Sequence, residues 1–199
     1  MYELDKTYTN HFFYTNSIST MPQALFLVPE FIRVFGIKKV LDIGCATGLY
    51  LKTFQMNNVS GLGIEGSTIP QRLKWVPSNY IVQKDLRFEI NKFSGYDFVL
   101  SMEVAEHIEE EYADVYVNNL TKHNADTIFM TAAPPGHAGT AHVNCQPKQY
   151  WVDKIEKKGY TNTLAYDDMI KHYAAKATEE GVFIHHWFLP NFMVFKKEN

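Results

Sequence analysis

The sequence predicts an α/β fold of three layers, a doubly wound and mostly parallel seven-stranded sheet with an antiparallel hairpin at its C-terminal edge. Three observations predict it. Short β-branched runs alternate with helical ones from Lys39 to Thr131, which is the pattern of a parallel sheet covered on both faces. A turn, Gly44-Cys45-Ala46-Thr47-Gly48, follows the first of those runs directly. A loop rich in proline and glycine, Ala132 to His142, follows the fifth, where open α/β sheets place their ligands.

Each element has its own signal. The first twenty residues are aromatic and polar without a clear period, and Ser19-Thr20-Met21-Pro22 reads as a helix start with a hydroxyl cap and proline in the first turn. Leu25, Leu27, Val28, Phe31, Ile32 and Phe35 give that helix an apolar face before Gly36 stops it. Strands are expected at Lys39 to Ile43, Gly61 to Ile64, Tyr80 to Gln83, Phe98 to Ser101 and Thr127 to Thr131. Helices are expected at Leu49 to Gln55, Glu106 to His123 and Gln146 to Lys158, the last ended by Gly159. A short helical insertion at Asp167 to Thr178 then leads to an aromatic strand region, Phe183 to Phe195, that supplies the antiparallel edge.

Composition narrows the class. The chain has 199 residues, enough for one domain with a sizeable core at 46% hydrophobic content. No apolar run reaches the length of a membrane span, and the N-terminus lacks the basic start and apolar centre of a signal peptide, so a cytoplasmic location is expected. The two cysteines, Cys45 and Cys145, have no neighbours at metal-ligand spacing and read as reduced thiols. Net charge is -3 and only Arg33, Arg72 and Arg87 are arginines, which argues against a broad phosphate-gripping surface and makes nucleic acid a disfavoured partner.

In a strand-turn-helix unit, Gly44 and Gly48 allow a sharp turn and close approach of a ligand to the backbone, with Asp42 just before it. The dinucleotide fingerprint needs glycines that this turn lacks in register, which counts against a pyrophosphate site. The spacing instead resembles motif I of the class I S-adenosylmethionine-dependent methyltransferases, Asp-x-Gly-x-Gly-x-Gly, with Ala46 in place of the central glycine. The resemblance runs from about Lys38 to about Tyr160 and implies a Rossmann-like fold. It implies S-adenosylmethionine as cofactor, with Glu65 accepting from the ribose hydroxyls beside Gly66, and Asp85 and Leu86 at the adenine. The Ser101 to Glu103 backbone, including Met102, would flank the methionyl part. Asp42, Gly44, Cys45 and Gly48 complete the implied cofactor set. On this reading the chain is one domain, 1–199, divided into an N-terminal cover and helix (1–37), a cofactor-binding core (38–131) and an acceptor side (132–199).

Methyl transfer from a sulfonium is an in-line displacement, and an alcohol acceptor needs a base or a metal to take its proton. The sequence offers Glu103-Val104-Ala105-Glu106-His107 just after the fourth strand, where a helical turn would put residues 103, 106 and 107 on one face. This run is similar to one in small-RNA 2'-O-methyltransferases, where it holds a divalent metal together with a later histidine, for which His142 stands here. The resemblance implies Glu103, Glu106, His107 and His142 as ligands of Mn²⁺ or Mg²⁺. Similar runs occur in small-molecule O-methyltransferases, so the motif does not select a substrate. His142 is the favoured general base, with Glu106 and His107 beside it; His137 is the lesser candidate, and His185-His186 read as strand or turn.

The segment holding His142, Asn144, Gln146, Tyr150 and Trp151 resembles loops of phage and large algal virus methyltransferases that modify glycans. Polar groups with an aromatic platform suit a sugar, and Trp151, Tyr150, His11, Phe12 and Tyr14 are candidates for its wall or lid, with the hydrophobic core as the competing place for Trp151. The expected function is therefore O-methylation of a hydroxyl on a sugar or glycan terminus. Another small molecule or a terminal RNA ribose is the alternative acceptor. A non-catalytic cofactor-binding partner module is a third reading, which the carboxylate-histidine cluster disfavours.

Overall fold

The computed structural model describes residues 3–198. Helix α1 (Glu3–Thr7) leads into a long helix, α2 (Asn10–Phe35). Then follow β1 (Lys39–Ile43), α3 (Leu49–Met56), β2 (Ser60–Glu65), β3 (Ile81–Gln83), β4 (Phe98–Ser101), α4 (Ala113–Thr121) and β5 (Thr127–Thr131). The C-terminal part adds α5 (Lys148–Glu156), β6 (Tyr160–Asn162), α6 (Asp167–Glu179), α7 (Phe188–Asn191) and β7 (Phe192–Lys197). The sheet has seven strands in the order β3, β2, β1, β4, β5, β7, β6. Pairing is parallel from β3 to β5, while β7 runs antiparallel to both β5 and β6. The order reverses direction beside β1, so a crevice opens at the carboxyl ends of β1 and β4.

Alternation along the strands builds a core on each face. Leu41, Ile43, Val99, Ile128 and Met130 face Tyr116 of α4 and Trp151 and Ile155 of α5. Val40, Phe98, Leu100, Phe129 and Val194 face Leu27, Val28 and Phe31 of α2 and Phe54 of α3. Polar ties fix the ends: the Asp97 carboxylate accepts from the backbone N–H groups of Lys38 and Lys39, and the Ser101 hydroxyl donates to the Ile43 carbonyl at 2.7 Å while sharing a hydrogen bond with the Tyr116 hydroxyl. Buried Asn119 accepts from the Ile90 N–H and donates to the Phe88 carbonyl, which holds the segment after β3 against α4.

The structure departs from the sequence expectation in three places. The first helix starts at Asn10, capped by Thr9, and carries Pro22 and Pro29 in its interior instead of beginning near Pro22. Hydroxyls of Thr15, Ser17 and Thr20 bond back to carbonyls three or four residues earlier, so these residues sit inside the helix and do not cap it. The expected helix from Glu106 breaks into two 3₁₀ turns, Ala105–His107 and Glu110–Tyr112, before α4 begins at Ala113. Finally, the hairpin's first strand is Tyr160–Asn162, and the segment expected to be strand from Phe183 contains α7; only Phe192–Lys197 is extended. Three residues with one polar pair gave β6 too short a pattern to be distinguished from the helix end before it.

Candidate active site

A cavity of about 580 Å³ lies at the carboxyl ends of the strands. Its floor comes from the turn after β1, where Gly44 and Ala46 have φ of 81° and 46°. Gly44 has no room for a side chain, since a Cβ there would overlap the Val104 side chain. At the end of β2, Glu65 accepts from the Ala46 N–H at 2.9 Å with one carboxylate oxygen and from the Ser67 N–H at 2.8 Å with the other. Burial raises its pKa, and those N–H groups oppose the rise. The carboxylate is thus fixed in the cavity wall with lone pairs to spare for a ligand.

After β3 the wall is formed by Asp85, Leu86 and Arg87. Arg87 grips the Asp85 carboxylate through Nη2 at 2.7 Å and through Nε, and also reaches Glu109 at 3.4 Å. Much of Asp85's acceptor capacity is therefore spent on Arg87, a residue the sequence reading passed over although it is one of only three arginines. Met102, Glu103, Val104 and His107 enter from the end of β4. A smaller side chamber holds Asp42, Gly44 and Cys45 together with Met102 and Glu103. Of the cofactor residues expected, Gly44, Glu65, Gly66, Asp85, Leu86 and Met102 line the main cavity, Asp42 and Cys45 only the chamber, and Gly48 neither. Gly48 instead caps α3 in the left-handed region, with Val76 where its side chain would be.

Helices α1 and α2 and the link between them close the cavity from above with Leu4, Tyr8, Phe12, Phe13 and Asn16. The Ser17 and Thr47 hydroxyls, 2.6 Å apart, tie this cover to the turn after β1. The sequence does not single out Tyr8, Phe13, Asn16 or Trp187, for the first two of which the aperiodic aromatic leader is the available signal; His186, expected only as strand or turn, also lines the cavity. Of the proposed sugar wall, only Phe12 lines the cavity. Tyr14 is exposed, and Trp151 is fully buried against Tyr116 and Tyr150 in the core. Asn144 is also buried and bonds to Gln146.

The titratable cluster stands where β4 and β5 end. Val143 and Asn144 donate their backbone N–H groups to the Glu106 carbonyl, at 2.9 Å and 3.0 Å, and so draw the loop after β5 onto the 3₁₀ turn. Glu106, His107 and His142 consequently bring potential ligand atoms within 4.8 Å of one another. The Glu106 side chain is wholly buried beside the Glu103 carboxyl and the Ala133 backbone. Burial, and then the neighbouring Glu103 carboxylate, push its pKa well above the usual range. Glu103 falls outside the three-residue cluster; it sits at φ 51°, with its N–H bonded to the Thr131 hydroxyl, and borders both cavities.

Both histidines hold the same tautomer for the same reason. His107 Nδ1 lies 3.2 Å from the Ala141 carbonyl and His142 Nδ1 lies 3.0 Å from the His137 carbonyl. A carbonyl only accepts, so each Nδ1 donates. Burial lowers the His107 pKa to about 4, so its ring is neutral. A buried carboxyl group near two imidazoles, each ring oriented by a carbonyl behind it, brings together ligand types suited to a divalent cation.

Comparison with known proteins places this geometry. A family model described as a methyltransferase domain matches residues 23–138, more than half of the chain. The chain belongs to this methyltransferase family. Its activity is methyl transfer from S-adenosylmethionine. No curated protein sequence matches it. Among solved structures, the methyltransferase domain of bacterial CtHen1-C is similar at 19% identity and a TM-score of 0.59, covering 90% of this chain and 99% of that one. A SAM-dependent methyltransferase from Archaeoglobus fulgidus shares 13% identity with a TM-score of 0.61, over 94% of this chain and 98% of that one. Magnesium protoporphyrin IX methyltransferase from Synechocystis PCC 6803, solved with bound SAH, shares 13% identity with a TM-score of 0.62, over 98% of this chain and 93% of that one. These likenesses establish the fold of the methyltransferase, including its mixed seven-stranded sheet. Among the described residues no helix is long and apolar enough to cross a membrane.

Proposed function

We propose that this methyltransferase is an O-methyltransferase acting on a hydroxyl of a sugar or glycan terminus, with Glu106, His107 and His142 gathered around the acceptor hydroxyl as a divalent metal site. The observation that carries the reading is the meeting of the buried Glu106 carboxyl, held beside Glu103, with two imidazoles whose ligand atoms lie within 4.8 Å. Two buried acids side by side cost free energy if both ionise, which a shared proton or a bound cation relieves. Mn²⁺ or Mg²⁺, when held there, supplies Lewis acidity toward a hydroxyl. On this reading S-adenosylmethionine occupies the main cavity, its ribose at Glu65 and its adenine near Leu86, with the aminoacyl end toward Asp42 and the side chamber.

The residues divide the work. Glu65 fixes the cofactor, the aromatic cover of Tyr8, Phe12 and Phe13 shields the reacting groups from water, and His142 faces the acceptor. Because its Nδ1 is engaged by the His137 carbonyl, His142 has one free nitrogen. That nitrogen either ligates an ion or takes the hydroxyl proton as general base, and one experiment separates the two roles. A second reading, a ribose at an RNA end, is favoured by the same Glu106–His107–His142 grouping, and it shares the vicinal diol of a sugar.

Incubating the purified protein with S-adenosylmethionine and a panel of glycans, oligoribonucleotides, nucleosides and phenols, then screening for an added methylene mass, identifies the acceptor. His142→Ala is expected to lower kcat by about 10²–10⁴-fold with S-adenosylmethionine affinity retained. Turnover abolished by a chelator and restored by Mn²⁺ assigns His142 as ligand. Chelator-resistant turnover assigns it as base and removes the metal from the reading. Methylation confined to nitrogen or carbon acceptors overturns the O-methyltransferase reading.

A further inference from the structure

The loop that carries His142 folds back on its own histidine. Four groups meet the imidazole: the His137 carbonyl at Nδ1, the Cys145 sulfur 3.6 Å from the same nitrogen, the His107 ring edge-on at 4.9 Å between centroids, and the backbone of Gly139. A Cβ built on Gly139 would overlap Nε2, Cε1 and Cδ2 of His142. The overlap is greatest at Nε2 and nearly equal at its two carbon neighbours, so a side chain would land on the ring face above Nε2. The in-plane direction from Nε2 is left clear.

From this we infer that Gly139 is a positioning residue for the reaction: its missing side chain is the seat in which the His142 ring lies with Nε2 presented to the acceptor site. Two of the ring's surroundings are backbone, and a third backbone tie sets the loop that carries it. His137 O holds the tautomer, Gly139 Cα supports one face, and the Val143 and Asn144 N–H bonds to Glu106 set how far the loop descends. Gly139 does not require glycine for its backbone, since its φ lies outside the left-handed region, unlike Gly136 on the same loop at 83°. The constraint is space, and the atoms in that space are the far end of a side chain. An added methyl group is therefore met by movement of the ring, with the backbone left in place.

The inference rests on His142 acting in methyl transfer, and its test separates the two claims. His142 ring ¹⁵N and ¹³C resonances are assigned by their loss in His142→Ala, and are expected to report an Nδ1–H tautomer in the wild type. In Gly139→Ala those resonances are expected to move, with S-adenosylmethionine affinity and melting temperature unchanged. With the acceptor found in the mass screen, kcat is expected to fall by about tenfold or more while KM for S-adenosylmethionine holds, the signature of a displaced reacting group. The Gly139→Ala/His142→Ala double variant is expected to match His142→Ala alone, because Gly139 acts only through that ring. Unmoved His142 resonances in Gly139→Ala overturn the inference. So does full activity of Gly139→Ala beside a crippled His142→Ala, or additive losses in the double variant. Full activity of His142→Ala instead overturns the catalytic role of His142 and with it any catalytic consequence of Gly139, while the resonances still decide whether Gly139 seats the ring.

Discussion

Gly44 and Ala46 stand two residues apart with left-handed backbones, yet they face opposite constraints. A side chain on Gly44 would overlap Val104, while Ala46 already carries its Cβ in a conformation that costs an L-residue roughly 1–2 kcal/mol. Gly44→Ala is expected to destabilise the protein by at least about 1–2 kcal/mol and to weaken S-adenosylmethionine binding, because both backbone and Val104 must give way. Ala46→Gly is expected to raise stability by about 1 kcal/mol or less, with the cofactor affinity kept. Thermal melts with and without cofactor check both signs; a destabilised Ala46→Gly would show that alanine's stiffness outweighs its strain. The same turn shows what single residues reveal in sequence. The Gly44 turn and the Glu65 carboxylate were legible because glycine and acid at those places have few other uses in a strand-turn-helix unit. Tyr8 and Trp187 were not, since an aromatic residue reads the same whether it packs a core or roofs a cavity; for Trp151, where both places were open, the structure takes the core.

At the scale of elements, strands β1 to β5 were legible because each is a short apolar run with turn residues after it. Helix α2 is longer than the sequence predicts, because proline marks a helix start more often than a helix interior. Pro22 and Pro29 are exposed, and the carbonyls they leave without partners belong to Ile18 and Leu25, also exposed, so water can satisfy both. The prolines thus sit on the solvent side of a helix whose inner face, Leu27, Val28 and Phe31, lies on the sheet. Replacing Pro22 with alanine restores a hydrogen bond and is expected to stabilise the protein by up to about 3 kcal/mol, read as a melting temperature higher by several degrees. A lower melting temperature would mean that the bend at Pro22 is what lets the first half of α2 reach the cavity while the second half follows the sheet. The 3₁₀ turn at Ala105–His107 could not be foreseen from periodicity, because it is imposed by the loop after β5 reaching across to the Glu106 carbonyl.

Over the whole molecule, the methyltransferase buries several acids around one crevice, and Asp42 is the clearest case. It lies at the end of β1 with one carboxylate oxygen unpartnered, and burial, with Glu65 nearby, pushes its pKa from 3.8 up to about 8. In the unfolded chain the same group releases its proton at the ordinary carboxylate value. Between those two values the folded state holds a proton that the unfolded state has lost, so stability falls as pH rises, and the loss is complete above the folded pKa. The ligand-free protein is therefore expected to lose on the order of a few kcal/mol from this group between about pH 4 and pH 8, the reverse of the usual trend for an ion-paired aspartate. Chemical denaturation at steps of pH measures the slope, and Asp42→Asn, which cannot ionise, is expected to flatten it. Cofactor binding adds a second comparison: S-adenosylmethionine brings cationic groups toward the crevice, so it should favour the ionised aspartate and stabilise the protein more at pH 8 than at pH 6. A slope that survives in Asp42→Asn would move its origin to Glu103 and Glu106. In that case added Mn²⁺, not added cofactor, would be the ligand that removes it.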